Sequence, residues 1–511
     1  MWDNKYNEEL LKRRKEARAG GGADKMAKQH EKGKLSAWER LEILFDEGTF
    51  VEVDNLIESR IDDFQMAEKR VPGDGVITGY GKINGRYVFA YSEDFTVIGG
   101  TLGEYHSMKI CRIMDRALEM RAPLIAINDS GGARIEEGVC SLSGYSGMFL
   151  RNTRASGVIP QIAVIMGPCA GGACYSPAIC DFIFMTEATS RMFITGPGVV
   201  KEVIGEEVSS FELGSAKTHM EKSGVAHFTY KDDETCLKAV RNMLKYLPSN
   251  CDEKAPYEET VKDSQSVNIQ DIVPDEQRKV YDVHSVIDAI VDGGSMLEVQ
   301  ASYAKNIVVG FGRLKGKTLG IVANQPLIMG GALDVNASEK AARFIRFCDA
   351  FNIPILTLID VPGFFPGTKQ EHGGIIRKGA KLLYAYSEAT VPKVSLIMRK
   401  AYGGAYIAMN SKNMGADMVY AWPIAQIAVM GAEGAADIIF KQEIAKGEKT
   451  KEEFVKKYED AFMNPYIAAK RGYVDEVILP EETKSKLVEV FALYETKQRN
   501  GIPKKHGNIP L

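Results

Sequence analysis

Short apolar runs closed off by glycine or proline alternate along this chain with longer stretches in which apolar side chains return every third or fourth position. Leu124–Ile127, Ile162–Met166, Ile355–Ile359 and Val394–Met398 are the clearest runs, each with the length and bounds of a strand buried on both faces. His106–Met120 and Ser338–Phe351 carry the helical spacing. Strand and helix in alternation predict an α/β fold with largely parallel sheets.

The pattern is written twice. Gly79-Tyr80-Gly81, Gly85, Gly99-Gly100 and Asp129 recur 231 positions later as Gly310-Phe311-Gly312, Gly316, Gly330-Gly331 and Asp360. Gly171-Gly172-Ala173 recurs 232 positions on as Gly403-Gly404-Ala405, and Asp46–Val53 recurs 246 positions on as Asp292–Val299. The first copy therefore holds 15 extra residues around Ile57–Gly73. Constant register over this length predicts duplication. Two domains are expected, 1–250 and 283–511, joined by a polar connecting segment over 251–282 where apolar periodicity lapses.

Candidate chemistry sits in glycine-rich turns that follow buried strands. The first copy has Asp129-Ser130-Gly131-Gly132-Ala133-Arg134 and Gly167–Ala173; the second has Asp360-Val361-Pro362-Gly363 and Ala401-Tyr402-Gly403-Gly404-Ala405. Without a Cβ, backbone N–H groups approach a ligand closely, and a helix opening there adds unpaired N–H groups aimed at the same point. Such donors suit an oxygen that gains negative charge, as in an oxyanion hole. The plainer role of a Gly-Gly pair is tight packing, but recurrence in both copies favours two anion sites. Side-chain nucleophiles are scarce: there is no G-x-S-x-G elbow, and His106, His219, His227 and His372 do not recur in the other copy. Glu136-Glu137 offer a base, although acids on a first helical turn also complement its dipole. Gly312–Thr318 is one residue short of a phosphate loop, and its counterpart Gly81–Tyr87 lacks the Lys-Thr pair; both predict hairpin turns.

A net charge of -4, from 64 basic and 68 acidic residues, argues against nucleic acid as a partner. The eight cysteines lie in small, apolar surroundings without C-x-x-C spacing, so buried thiols and no metal are expected. The basic stretch Lys5–Lys34 predicts a solvated helix face, with contact to cofactor phosphates as the sharper alternative. No signal pattern and no apolar run of membrane-spanning length is seen, so a cytoplasmic protein is expected, any membrane link being made by a partner.

The stretches DSGGARI (Asp129–Ile135), GPCAGGACYSPA (Gly167–Ala178), MFITGPGVVKEVIGEE (Met192–Glu207), FIRFCDAFNIPI (Phe344–Ile355), DVPGFFPGT (Asp360–Thr368), RKAYGGAY (Arg399–Tyr406) and KKHGNIPL (Lys504–Leu511) closely resemble the biotin-dependent acyl-CoA carboxyltransferases. That family includes the propionyl-CoA carboxylase beta chain, the methylmalonyl-CoA decarboxylase alpha chain and the transcarboxylase large subunit. The resemblance implies two tandem crotonase-like (ClpP/crotonase) β-β-α superhelix domains in a homohexamer, with sites between the first domain of one subunit and the second of another. It implies transfer of a carboxyl group between biotin N1 and the α carbon of a short-chain acyl-CoA. Gly171 and Gly172 would hold the thioester oxygen, with Gly131, Gly132 and Ala133 as supporting loop. Gly403, Gly404 and Ala405 would bind the biotin ureido oxygen. Ile407 stands where propionyl-CoA carboxylases commonly carry Asp, which bears on acyl preference.

The resemblance also explains the missing side-chain base, because the cofactor supplies it while the protein supplies position and electrostatics. The chain has no Ala-Met-Lys-Met segment and no recognisable ATP-binding domain, so biotin is expected on a separate carrier protein or domain. A biotin carboxylase subunit or a membrane decarboxylase subunit is the expected further partner. A stand-alone crotonase-like hydratase, isomerase or hydrolase, or a non-catalytic scaffold, are the competing readings.

Overall fold

The structure is a computed structural model that describes residues 4–259, 262, 268–445, 450–498 and 503–511. The chain divides into two compact units, Met1–Lys254 and Ala255–Leu511. The described residues of the polar stretch after Lys254 belong to the second unit, where Ile269, Val273 and Tyr281 are buried with its core.

The first unit is built on β1 (Val51–Val53), β2 (Val76–Ile83), β3 (Arg86–Glu93), β4 (Leu124–Ser130), β5 (Gln161–Ala170), β6 (Phe182–Thr186), β7 (Arg191–Phe193) and β8 (Phe228–Tyr230). The sheet order is β1-β2-β3-β4-β5-β6-β8, with β7 also paired to β5. β1, β2 and β3 pair antiparallel and all later neighbours parallel. The second unit repeats this with β9 (Leu297–Val299), β10 (Ile307–Leu314), β11 (Lys317–Asn324), β12 (Ile355–Val361), β13 (Lys393–Tyr402), β14 (Met418–Ala421), β15 (Gln426–Ala428) and β16 (Glu476–Val477) in the order β9 to β14 then β16, β15 lying on β13. The four apolar runs singled out from the sequence are β4, β5, β12 and β13, and every residue of β4 and β12 is buried.

The predicted helices form at Glu104–Glu119 and Val335–Ala350. Ile110, Ile113, Met114 and Ala117 face the sheet at helical spacing, each large aliphatic contributing roughly 1.5–3 kcal/mol by leaving water. Both turns predicted from Gly81–Tyr87 and Gly312–Thr318 are hairpins. Asn84-Gly85 and Lys315-Gly316 turn with positive φ, the two-residue geometry that matches strand twist. Each is clamped by one aspartate: Asp46 accepts from the N–H groups of Asn84 and Gly85 (3.1 and 2.9 Å), and Asp292 from those of Lys315 and Gly316 (3.0 and 2.7 Å).

One irregularity sets the position of the site. The register of β4 against β5 shifts between Asn128 and Ser130, and that of β12 against β13 shifts between Ile359 and Val361. Beyond the shift, β5 leaves β6 and pairs with β7, and β13 leaves β14 and pairs with β15. Each sheet thus turns a corner at Asp129 or Asp360. The glycine-rich turns stand at that corner.

Candidate active site

In the first unit the turn after β4 is zipped to the segment before the Glu104–Glu119 helix. Gly131 N–H donates to Gly99 C=O (2.9 Å), Leu102 N–H to Gly132 C=O (2.9 Å), and Arg134 N–H to Leu102 C=O (3.0 Å). The second unit repeats the last two as Leu333 N–H to Gly363 C=O (3.1 Å) and Phe365 N–H to Leu333 C=O (2.7 Å). A Cβ on Gly100 or Gly331 would meet the carbonyl oxygen of Asp129 (2.2 Å) or Asp360 (2.6 Å), so no side chain fits between the segments.

After β5 and β13 the chain passes through Gly171 and Gly403, whose φ values of 61° and 59° lie in the left-handed region, and then opens a helical turn. The N–H groups of Gly172-Ala173 and of Gly404-Ala405 fall at the start of that turn, where no earlier carbonyl of the helix can receive them. The two glycines that follow the left-handed residue differ. A Cβ on Gly172 would press on the Tyr145 ring at 3.1 Å, so packing alone favours glycine there. A Cβ on Gly404 would find only the Phe364 ring at 3.9 Å, within ordinary contact, and Gly404 is exposed. Nothing within the second unit excludes a side chain at Gly404; the space is left open. Ile407, one turn further, is also exposed, as is its counterpart Tyr175.

The cations that pair with the corner aspartates were not singled out from the sequence. Asp129, fully buried, accepts from Lys34 Nζ (2.7 Å), Arg40 Nη1 (3.0 Å) and Gln29 Nε2 (3.2 Å). Arg40 also donates to Asp233 (2.8 Å) and to Met166 C=O (3.1 Å). Asp360 takes a different cation: Arg399 Nε donates to it at 3.0 Å, Tyr281 Oη at 3.0 Å and Lys400 N–H at 3.1 Å. Arg399 lies on β13, at the place Gly167 holds in the first copy, where a side chain would collide with Asp129 (1.8 Å) and Lys34 (2.7 Å). The Asp129/Asp360 recurrence marked these positions. That their cations come from non-equivalent segments left no periodic trace.

The remaining candidates resolve into supports. Arg134, buried, donates to Asp74 (2.8 Å), Glu137 (2.7 Å) and Thr101 C=O (3.0 Å), while Glu137 accepts from Glu104 N–H (2.5 Å) and so caps the Glu104–Glu119 helix. Glu137 is fully engaged and is no free base. His219 and His227 are held by backbone groups, His219 against Met192 C=O (2.8 Å) and His227 receiving Ile183 N–H (3.1 Å). His372 lies exposed in the short helix Thr368–His372. Among the described residues no cluster of His, Cys, Asp and Glu could hold a metal ion, and no helix is long and apolar enough to cross a membrane. The helix Asn4–Ala19 that carries Lys12-Arg13-Arg14-Lys15 buries none of its residues.

The carboxyl transferase domain model matches residues 28–509. The carboxyltransferase subunit of propionyl-CoA carboxylase from Haloferax mediterranei is 55% identical over 99% of both chains. Methylmalonyl-CoA decarboxylase subunit alpha from Veillonella parvula is 54% identical, covering 97% of this chain and 96% of that one. A transcarboxylase 12S crystal structure, described as a hexamer assembly with methylmalonyl-coenzyme A and methylmalonic acid bound, superposes with a TM-score of 0.96 at 51% identity over 99% of this chain and 98% of that one. Two duplicated crotonase-like units, two glycine turns at matching corners and these likenesses lead to one assignment: the chain belongs to the carboxyl transferase domain family and is a carboxyltransferase.

Proposed function

We propose that this carboxyltransferase moves a carboxyl group between carrier-bound biotin and the α carbon of a short-chain acyl-CoA of the propionyl-CoA/methylmalonyl-CoA class. The observation that carries the reading is Gly404, a helical glycine with neither a positive φ nor a crowded Cβ to explain it. Glycine in a helix is disfavoured against alanine by about 0.5–1 kcal/mol, so open space at the Gly403-Gly404-Ala405 turn is best understood as room for a ligand ring. The fit to biotin is chemical: a ureido oxygen needs N–H donors and no competing acceptor, and Gly404 and Ala405 offer backbone N–H groups.

When bound there, biotin supplies the transferable carboxyl group and, without it, a ring nitrogen able to take a proton. The residues of this chain do the rest by position and field. Gly171 and Gly172 hold the thioester oxygen on the first unit, where each N–H aimed at the developing negative charge is worth about 2.7–4 kcal/mol. Gly131, Gly132 and Ala133 line the adjoining loop and fix the acyl group beside it. Ile407, beside the pocket, bears on acyl preference, one methylene being worth about 1–3 kcal/mol of discrimination.

The chain works as a homo-oligomer, a hexamer by likeness to the transcarboxylase, with a biotin carboxyl carrier protein or domain as its partner and a biotin carboxylase or a membrane decarboxylase subunit alongside. Its place is then the cytoplasm, at a membrane only through such a partner. Assembly is supported by apolar side chains that are exposed at duplicated positions around both turns: Tyr175 and Ile407, Ile194 and Val429, Val203 and Ile438, Ile204 and Ile439. Recurrence of large exposed apolar side chains at matching positions in both units favours a contact surface over scattered exposure.

The test is loss of the carboxyl group from methylmalonyl-CoA or malonyl-CoA in the presence of free biotin. Biotin-dependent turnover is expected, reduced at least about 100-fold in Gly404→Val. Turnover that ignores biotin would support a stand-alone crotonase-like enzyme, and no turnover with a wide acyl-CoA panel a scaffold.

A further inference from the structure

Beneath the first unit's turns lies a carboxyl group that the second unit replaces by an amide. Glu93 closes β3 at the place Asn324 holds in β11. Each accepts the N–H of the corner aspartate: Asp129 N–H donates to Glu93 Oε2 (2.9 Å) and Asp360 N–H to Asn324 Oδ1 (3.2 Å). Asn324 is neutral by nature. Glu93 has the surroundings of a neutral group.

Its second oxygen, Oε1, stands 3.7 Å from His106 Nε2, and both residues are buried. His106 Nδ1 lies 2.9 Å from the Asp74 carbonyl oxygen, so that nitrogen carries a hydrogen. In the neutral ring Nε2 is then a bare acceptor, buried without a hydrogen-bond partner. The Glu93 carboxyl faces it at 3.7 Å, just beyond hydrogen-bond length. Facing Glu93 are Asp129 from β4, Tyr91 from β3, Tyr145 from the Val139–Ala155 helix and Cys169 from β5. Tyr91, Tyr145 and Cys169 all have raised pKa values and stay neutral, so the charge next to the carboxyl is that of Asp129, of like sign and itself paired with Lys34 and Arg40. Burial, reinforced by that charge, pushes Glu93 up to about 8, and burial pushes His106 down to about 4.

We propose that Glu93 is a positioning residue for the acyl-CoA side of the site: a protonated carboxyl that holds the Asp129–Gly132 loop, and loosens it on ionising. Its reach is direct, since Tyr145 carries Gly172 on its ring and Asp129 begins the loop that ends at Gly132. Ionisation sets a second carboxylate beside Asp129 in a dry interior, where like charges repel strongly. The second unit, with Asn324, has no such response. The inference rests on the reading of the first unit as the acyl-CoA side.

The experiment measures KM for methylmalonyl-CoA and for free biotin from pH 6.5 to 9.5 in the full chain and in Glu93→Gln. In the unsubstituted protein KM for the thioester is expected to rise above about pH 8, approaching about tenfold per pH unit, while KM for biotin stays flat. Glu93→Gln keeps the neutral-pH KM and loses the alkaline rise, because its amide carries no charge at any pH and can accept from Asp129 N–H as Glu93 does. Should that variant not fold, infrared difference spectra of the unsubstituted protein still read the carboxyl, whose protonated band should disappear with the midpoint of the KM rise. A flat thioester KM, a rise that persists in Glu93→Gln, a parallel rise in biotin KM, or a carboxyl band already lost at pH 6.5 overturns the proposal. Absence of biotin-dependent turnover at every pH would instead sink the functional reading on which it rests.

Discussion

His284 stands between two carboxylates, its Nδ1 2.6 Å from Asp282 and its Nε2 2.9 Å from Glu298. The Glu298 bond, with the Asp282 bond behind it, outweighs partial burial and raises the imidazole from 6.5 to about 9. The native state therefore holds this proton more tightly than the unfolded chain. The resulting stabilisation is complete below about pH 6.5 and is lost as pH rises through about 9. Thermal melts should show His284→Gln destabilised near pH 6 and the difference from the parent closing by about pH 10. The side chain is partly exposed, so salt should narrow the gap. Buried charges are duplicated elsewhere: Lys109 and Lys340, 231 positions apart, lie inside their helices against backbone carbonyls. Lys109 donates to Gly73 and Val76, and Lys340 to Gln300, Tyr303 and Ile307. Burial lowers both to about 8. A lysine at an inward helical position reads from the sequence as polar surface, and only the repeat register could have marked this pair.

At the scale of elements, the helical turn Gly403–Ala408 makes a sharp contrast between stability and function. Gly404→Ala adds one methyl in free space and removes a flexible residue, so it is expected to raise stability by up to about 1 kcal/mol in denaturant melts. The same methyl enters the proposed biotin space, and biotin-dependent turnover should fall. Gain of stability without loss of turnover would mean the glycine is not there for a ligand. The strands, hairpins and two main helices were legible because burial on both faces, Asn-Gly and Lys-Gly turns, and helical spacing each leave a local pattern. The glycine turns were legible by recurrence. What escaped was the support beneath them, because Lys34, Arg40 and Arg399 reach their aspartates from segments distant in sequence and different in the two copies.

For the whole molecule, duplication places the exposed apolar positions Val203-Ile204 and Ile438-Ile439 on corresponding helices, Pro197–Ile204 and Ala432–Ile439. If these faces are buried by assembly, replacing Val203 and Ile204 together by Asp should shift the sedimentation profile toward smaller species while leaving the secondary structure intact. An unchanged profile would place the interface elsewhere. If the proposed site is completed across subunits, biotin-dependent turnover should fall with the assembly.

Arg40 carries a consequence for how the protein is made. It joins Asp129 at the end of β4 to Asp233 at the start of the Asp233–Met243 helix, and it is wholly enclosed. As the chain leaves the ribosome, Arg40 and Asp129 emerge long before Asp233, so the first half cannot balance its interior charge until its last helix has appeared. An arginine enclosed with too few acceptors is costly, so closure of the first half around Arg40 is expected to wait for Asp233. Arg399 meets Asp360 and the carbonyls of Pro274, Glu276 and Lys279, all of them already synthesised when it arrives. The two halves, alike in architecture, thus close by opposite schedules: one waits for its final helix, and the other completes its charge balance as soon as β13 is made.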